Sequence, residues 1–225
     1  MQGIMKFLQT AEKLKSEKRK TLLSDNEWES VASHTWMMGL LAVLFLDKSV
    51  HRLDGEKVFK MIVVHDLAEA ETGDIAMGKT FQNRALDLEK KEKEQASMNG
   101  LLASLPDESR QEIMDLWQEF EKAETREARF VKALDKLESY FQVSCAEDVS
   151  YIERLGDGDI YWKIYCQDLQ KHLFADEPEL CRFWDAVKPV ILEKMRKSGI
   201  NPVNYMEKEE TEGKYNVSLG HMFSG

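Results

Sequence analysis

The chain has 225 residues, a length that suits one medium domain with a sizeable core. With 43% hydrophobic and 32% charged residues it has the balance of a globular protein in water, and a net charge of −10 argues against a binder of polymeric nucleic acid, which needs a basic face. Only 4 prolines and 12 glycines stand among abundant helix formers, which favours a mainly helical fold, and no run approaches the roughly 18 apolar residues of a membrane span.

In chain order, Ile4, Phe7, Leu8, Ala11 and Leu14 recur at helical spacing. The first 20 residues are amphipathic and lack the apolar core and cleavage site of a secretory signal. Residues 15–20 are polar and basic, and Ser24, Asp25 and Asn26 mark a loop. A second helix begins within residues 29–33 and runs to about residue 46. Its segment 36–46 is apolar almost all round, which predicts burial on most sides, with Trp36 in the core. Asp54-Gly55 marks a turn. The helix after it carries Met61-Ile62-Val63-Val64 and then His65-Asp66, and Gly73 stops it.

Residues 78–84 read as a loop and 85–105 as a charged amphipathic helix, whose EKKEKE run at 89–94 predicts a solvated face with internal ion pairs. Pro106-Asp107 opens a helix holding Trp117 and Phe120, both expected in the core, and another follows Thr125 with Phe130, Leu134 and Leu137 inward. Gly156-Asp157-Gly158 is a turn, and helices fit residues 160–173 and 178–197. Residues 199–225 have no sustained period. The expected organisation is one all-α domain over residues 1–198 and a C-terminal tail over 199–225, ordered in part against the body or a partner chain. Three cysteines, Cys145, Cys166 and Cys181, stand far apart without a CxxC. That fits neither a disulfide framework nor a thiolate zinc site, and points to a reducing cytoplasm.

The densest chemistry lies around His65. A buried histidine and carboxylate need partners, and on a helix Glu69 lies one turn from both His65 and Asp66. Imidazole and two carboxylates converging at low dielectric suit a divalent metal with a general base beside it. Of five histidines, His34 is the best second imidazole, because the most apolar part of its helix follows it directly. His51, His172 and His221 have no such setting. Asp135 interrupts a core-facing stripe between Leu134 and Leu137. It reads either as a further ligand or as a surface carboxylate paired to Lys132 or Lys136, and taken alone the second is the commoner case.

The order His34, His65-Asp66, Asp135 resembles the HD-domain metal-dependent phosphohydrolases. The likeness extends over Glu29-Ser30-Val31-Ala32-Ser33-His34-Thr35-Trp36, over Val64-His65-Asp66-Leu67-Ala68-Glu69-Ala70 with Thr72-Gly73-Asp74-Ile75, over Trp117-Gln118-Glu119-Phe120-Glu121, and over residues 128–138. These blocks are similar to the small branch that includes the 5′-deoxynucleotidases, from about residue 5 to 190.

The resemblance implies an all-helical bundle, usually a homodimer, holding one divalent ion (Mn, Co, Fe or Zn) on His34, His65, Asp66 and Asp135. No histidine lies between Asp66 and Asp135, which argues for a single ion, since the two-metal members recruit histidines there. It further implies attack of a metal-activated water on a small phosphorylated substrate, a (deoxy)nucleoside 5′-monophosphate. Glu69 would be the base, unless it serves as the partner that fixes an imidazole tautomer. Asp74 would position substrate or assist the leaving group, unless it merely caps a turn. Arg19 matches the family's phosphate arginine.

The chain departs from the branch at Lys20, where a tryptophan is usual, and at Ala76-Met77, where the branch has Pro-Thr. Lys20, Met77 and Lys79 thus join Arg19 as candidate substrate contacts. Two other readings stand: hydrolysis of another phosphoester or pyrophosphate, and a non-catalytic, metal-stabilised dimeric interaction module.

Overall fold

The computed structural model describes residues 1–74, 84–155, 164 and 171–200, with the backbone alone for residues 84–87. Helix α1 (Gln2–Ala11) runs into a 3-10 turn, Glu12–Lys15. An antiparallel hairpin follows, β1 (Lys18–Leu22) and β2 (Trp28–Ser30), paired Lys18 to Ser30 and Leu22 to Trp28 with an irregularity between. The stretch expected as polar coil and loop thus contains two strands. They are too short for an alternating pattern to show, and Asn26 closes the turn at φ 67°, a left-handed conformation that asparagine tolerates.

Ser30 ends the hairpin and caps α2 (Val31–Phe45), its hydroxyl accepting from Ser33 N at 3.1 Å. Asp54 caps α3 (Gly55–Val64) in the same way. A tight turn leads to the one-turn helix α4 (Glu69–Thr72). Then come α5 (Arg84–Leu102), α6 (Asp107–Lys122), α7 (Arg126–Cys145, capped by Thr125), α8 (Tyr151–Arg154), a 3-10 turn Lys171–Phe174, and α9 (Pro178–Lys197). Most of the helix expected at 160–173 lies outside the described residues, as do the Gly156-Asp157-Gly158 turn and the tail from 201. The first residues of the expected tail pack on the body: Ile200 is buried and its N–H bonds Met195 O.

Helix α7 is the axis of the bundle. Its apolar face (Val131, Leu134, Leu137) packs with α2, α3 and α9 into the main core. A second, smaller core gathers Val64, Leu67, Met98, Leu102 and Trp117, with α1 laid against it. Trp117 and Phe120 are buried as expected.

Segment 36–46 is not buried on most sides. Val31, His34, Met38, Leu41 and Ala42 form the inward stripe, while Trp36 is 63% and Val43 66% exposed, with Leu40 and Leu44 beside them. An apolar pattern all round a helix cannot distinguish a second core contact from a face open at the surface. No described helix is long and apolar enough to cross a membrane.

Candidate metal centre

His65 sits where α3 ends. Its N–H still bonds Met61 O, but Leu67 N bonds Val64 O and Glu69 N bonds Asp66 O, so the chain tightens into a turn through residues 65–68. The expectation of one continuous helix through Glu69 is corrected here. His65 Nδ1 donates to Ile62 O at 2.8 Å, the carbonyl a continuing helix would offer to Asp66 N. The turn brings Asp66 Oδ2 to 3.1 Å from His65 Nε2. From α2, His34 enters with its ring centroid 5.5 Å from that of His65. From α7, Asp135 Oδ1 lies 3.3 Å from His34 Nε2. Ligand atoms of His34, His65 and Asp66 fall within 4.8 Å of one another. The bland reading of Asp135 also holds: its other oxygen is 2.9 Å from Lys136 Nζ.

Both imidazoles have their far nitrogen occupied. His34 Nδ1 is hydrogen-bonded to Glu138 Oε2, and His65 Nδ1 to the Ile62 carbonyl. In the neutral rings this puts the lone pair on each Nε2, and both Nε2 atoms are buried without a hydrogen-bond partner among the described residues while facing carboxylate oxygens. Lone pair against carboxylate is repulsive unless a cation lies between them, so the donor set fits a divalent ion.

The surrounding carboxylates favour positive charge at this place, and without an ion a proton on His34 supplies it. Burial and Arg19 oppose a charge on His34, yet Glu138 and Asp135 raise it to about 10. Burial works against Asp66 too, but His65, Arg19 and His34 hold its carboxyl well below the usual range. Asp135 is likewise lowered against burial, by Lys136 and the two histidines.

Glu69 opens α4 beside this group. It is 5% exposed and its Oε2 has no hydrogen-bond partner among the described residues. Burial, Asp66 and Asp74 push it up to about 9. Asp74 is half-buried just past Gly73, whose φ of 70° suits glycine, and Asp74 N donates to Glu17 Oε1 at 3.2 Å. Burial raises the Asp74 carboxyl as well. Arg19 reaches in from β1. Its Nη1 is 3.5 Å from Asp66 Oδ2 and its Nη2 donates to Ser139 Oγ at 2.9 Å. Lys20 is exposed on the same strand. Met77 and Lys79 lie outside the described residues.

Two acidic residues missed as functional candidates matter here. Glu138, fully buried, takes the imidazole-orienting place weighed for Glu69. Its spacing of three from Asp135 puts it on the same helix face, a signal available in the sequence. Glu29, 1% exposed, sits 3.4 Å from Arg19 Nε. Burial and Glu138 push it up to about 7. It depends on a hairpin that the sequence did not announce. The EKKEKE run is also less solvated than expected. Its pairs Lys90–Glu94 and Lys93–Glu89 exist, but Glu94 is buried and Lys90 is half-buried, held charged against burial by Glu94, Glu69, Asp66 and Asp74. Glu138→Ala is expected to weaken divalent-ion affinity about 10–100-fold, read by titrating stripped protein. Unchanged affinity would remove Glu138 from the support of the centre.

Residues 11–172 match the model of the family described as HD domain. The 5′-deoxynucleotidase HDDC2 of Mus musculus is 33% identical over 149 residues, which span 65% of this chain and 71% of that protein. The HDDC2 of Xenopus laevis is 39% identical over 114 residues, 51% of this chain and 53% of its own length. Among solved structures, a predicted metal-dependent phosphohydrolase from Magnetospirillum magnetotacticum aligns with a TM-score of 0.65 and 25% identity, covering 85% of this chain and 95% of that one.

Proposed function

The chain belongs to the HD-domain family, and we propose that it is a metal-dependent phosphohydrolase cleaving (deoxy)nucleoside 5′-monophosphates to nucleoside and phosphate. One observation carries the reading: ligand atoms of His34, His65 and Asp66 lie within 4.8 Å of one another, Asp135 Oδ1 faces His34 Nε2 at 3.3 Å, and Glu69, whose Oε2 has no hydrogen-bond partner among the described residues, is buried nearby. His34, His65, Asp66 and Asp135 would hold one divalent ion. A bound ion of this kind lowers the pKa of a coordinated water and polarises a phosphoryl oxygen.

The chain's own groups do the rest. Glu69 accepts the proton of the attacking water. Arg19, with Nη1 3.5 Å from Asp66 Oδ2, supplies a cation at the centre and takes phosphate oxygens. Asp74, fixed by Glu17 through its backbone, lies on the opposite side of α4 in sequence and positions the leaving alcohol. The substrate class rests on the similarity to the 5′-deoxynucleotidases above.

The test is phosphate release from chelator-stripped protein across nucleotides and Mn, Co, Fe and Zn. Deoxynucleoside 5′-monophosphates should be cleaved. Lys20 at the usual tryptophan position keeps a second reading open, and selective turnover of another phosphoester or release of pyrophosphate would favour it. A tightly bound ion with no turnover on any phosphoester would leave the interaction module. A buried Glu69 whose Oε2 has no hydrogen-bond partner among the described residues weighs against that module, because a structural site gains nothing from it.

We further infer a cytoplasmic homodimer. Cys145 and Cys181 are free thiols, which suits a reducing compartment. Trp36, Leu40, Val43 and Leu44 on α2, and Phe59 and Val63 on α3, which packs against it, are exposed apolar side chains, and exposed apolar surface of this kind suits an interface. A second copy is the occupant the resemblance implies. Leu40→Glu with Val43→Glu is expected to halve the mass in light scattering and keep the helical spectrum. A monomeric unsubstituted protein would refute the dimer.

A further inference from the structure

Arg19 does not approach the centre freely. It is held on three sides: Nη2 by Ser139, Nη1 facing Asp66, and Nε facing Glu29 Oε2 at 3.4 Å. The Arg19 Nε–Glu29 Oε2 contact is an ion pair rather than a hydrogen bond, and neither atom has a hydrogen-bond partner among the described residues. Glu29 is itself nearly sealed from solvent and belongs to β2, one residue before the Ser30 cap of α2. Its carboxylate also lies within 4.8 Å of ligand atoms of His34 and Glu138. It therefore stands between the arginine of the hairpin and the histidine of the bundle, and could act on either.

We propose that Glu29 is a positioning residue for Arg19: it takes the guanidinium by its Nε edge and so leaves the Nη edge turned toward the phosphate side of the centre. A guanidinium is a rigid planar fork, so fixing one edge fixes where the other points. Its neighbours are suited to the task. Ser139 holds a single Nη2, and its own hydroxyl donates back to Asp135 O at 3.1 Å, which locks it to α7. Gln142 Nε2 donates to Leu22 O at 2.9 Å, docking the hairpin on the same helix. With the strand docked and Nη2 tied to Ser139, the Nε contact fixes a second point of the planar guanidinium and so the direction in which Nη1 faces. Glu138, not Glu29, makes the hydrogen bond to His34, so the two acids divide the work: one serves the arginine, the other the imidazole.

This rests on the reading of Arg19 as the phosphate cation, and the test separates the two. Inorganic phosphate is the probe, titrated calorimetrically into protein loaded with Mn, alongside metal content and steady-state kinetics. Glu29→Ala should weaken phosphate binding about tenfold and raise KM far more than it lowers kcat, with full metal content. Glu29→Gln keeps an acceptor at the same reach and should restore binding to nearly that of the unsubstituted protein. Glu29→Asp keeps the charge but shortens the reach by one methylene; it should behave like the alanine variant, and serves if that variant does not fold. Arg19→Ala should lose phosphate binding at least as severely as Glu29→Ala.

Loss of metal from Glu29→Ala would overturn the proposal, since Glu29 would then act through His34. Unchanged phosphate affinity in Glu29→Ala, with Arg19→Ala impaired, would overturn the positioning alone. Unchanged affinity in Arg19→Ala would overturn both.

Discussion

Replacing Asp66 with alanine is expected to leave a folded protein that neither retains a divalent ion nor releases phosphate. Asp66 is the carboxylate shared between His65 Nε2 and Arg19 Nη1, so its loss removes a candidate ligand and the nearest countercharge of the arginine at once. Turnover should fall on the order of a thousandfold or more, because the chemistry attributed to the ion disappears with it. Heat unfolding supplies a readout independent of activity. An ion that binds the native state alone stabilises it by about 2.7 kcal/mol at a hundred times its Kd. The unsubstituted protein should therefore lose several degrees of Tm in EDTA, and Asp66→Ala should show no EDTA effect. The sign of the pH dependence is also set. Asp66 is held below its ordinary range, so its contribution is present above about pH 4 and fades as acid approaches its lowered pKa. The gap in Tm between the two metal-free proteins should thus narrow on acidification. Full metal content in Asp66→Ala would end the assignment of the centre.

What the sequence makes legible follows physical rules with different ranges. Helix starts are local events: Ser30, Asp54 and Thr125 each cap a helix with an oxygen that bonds an N–H three residues on, and each can be read from a few letters. His34 and His65-Asp66 stood out in the sequence because polar residues inside apolar stripes need partners, whereas Asp135 read equally as a surface carboxylate and joined them only through the family resemblance. Contacts that depend on pairing distant segments were not legible. Arg19 and Glu29 meet only because five-residue and three-residue strands close a hairpin. The open face of α2 was misjudged for a related reason. Apolarity on all sides records that a surface avoids water, and does not record which chain covers it. The break of α3 at Val64 was missed because the residues beyond it have ordinary helical character. A side chain, His65, captures the carbonyl that the helix needs.

Substituting Glu69 with glutamine should give opposite results in two assays. Glutamine has the same shape but accepts no proton, so turnover should fall about 10²–10⁴-fold while the ion stays bound. Stability of the metal-free protein should rise. Burial, Asp66 and Asp74 push Glu69 up to about 9, so the folded chain favours its protonated form. A carboxyl raised in this way contributes its stability fully below about pH 4.5 and loses it as pH climbs toward 9. Glutamine is neutral throughout and avoids the loss. At pH 8 the metal-free variant should be more stable by about 2 kcal/mol, which for a chain of this size is roughly 5 °C in Tm. At pH 5 the difference should nearly vanish. Glu69 becomes a usable base near neutrality only with a divalent charge beside it, so the stability gain should shrink when Mn is added to both proteins. Two results would count against this account. Full turnover of Glu69→Gln at saturating metal would transfer the base role to another group. Equal Tm values at pH 8 without metal would mean that Glu69 is not held in the unfavourable field that its neighbours create, and that field is what ties the acid to the cation it stands next to.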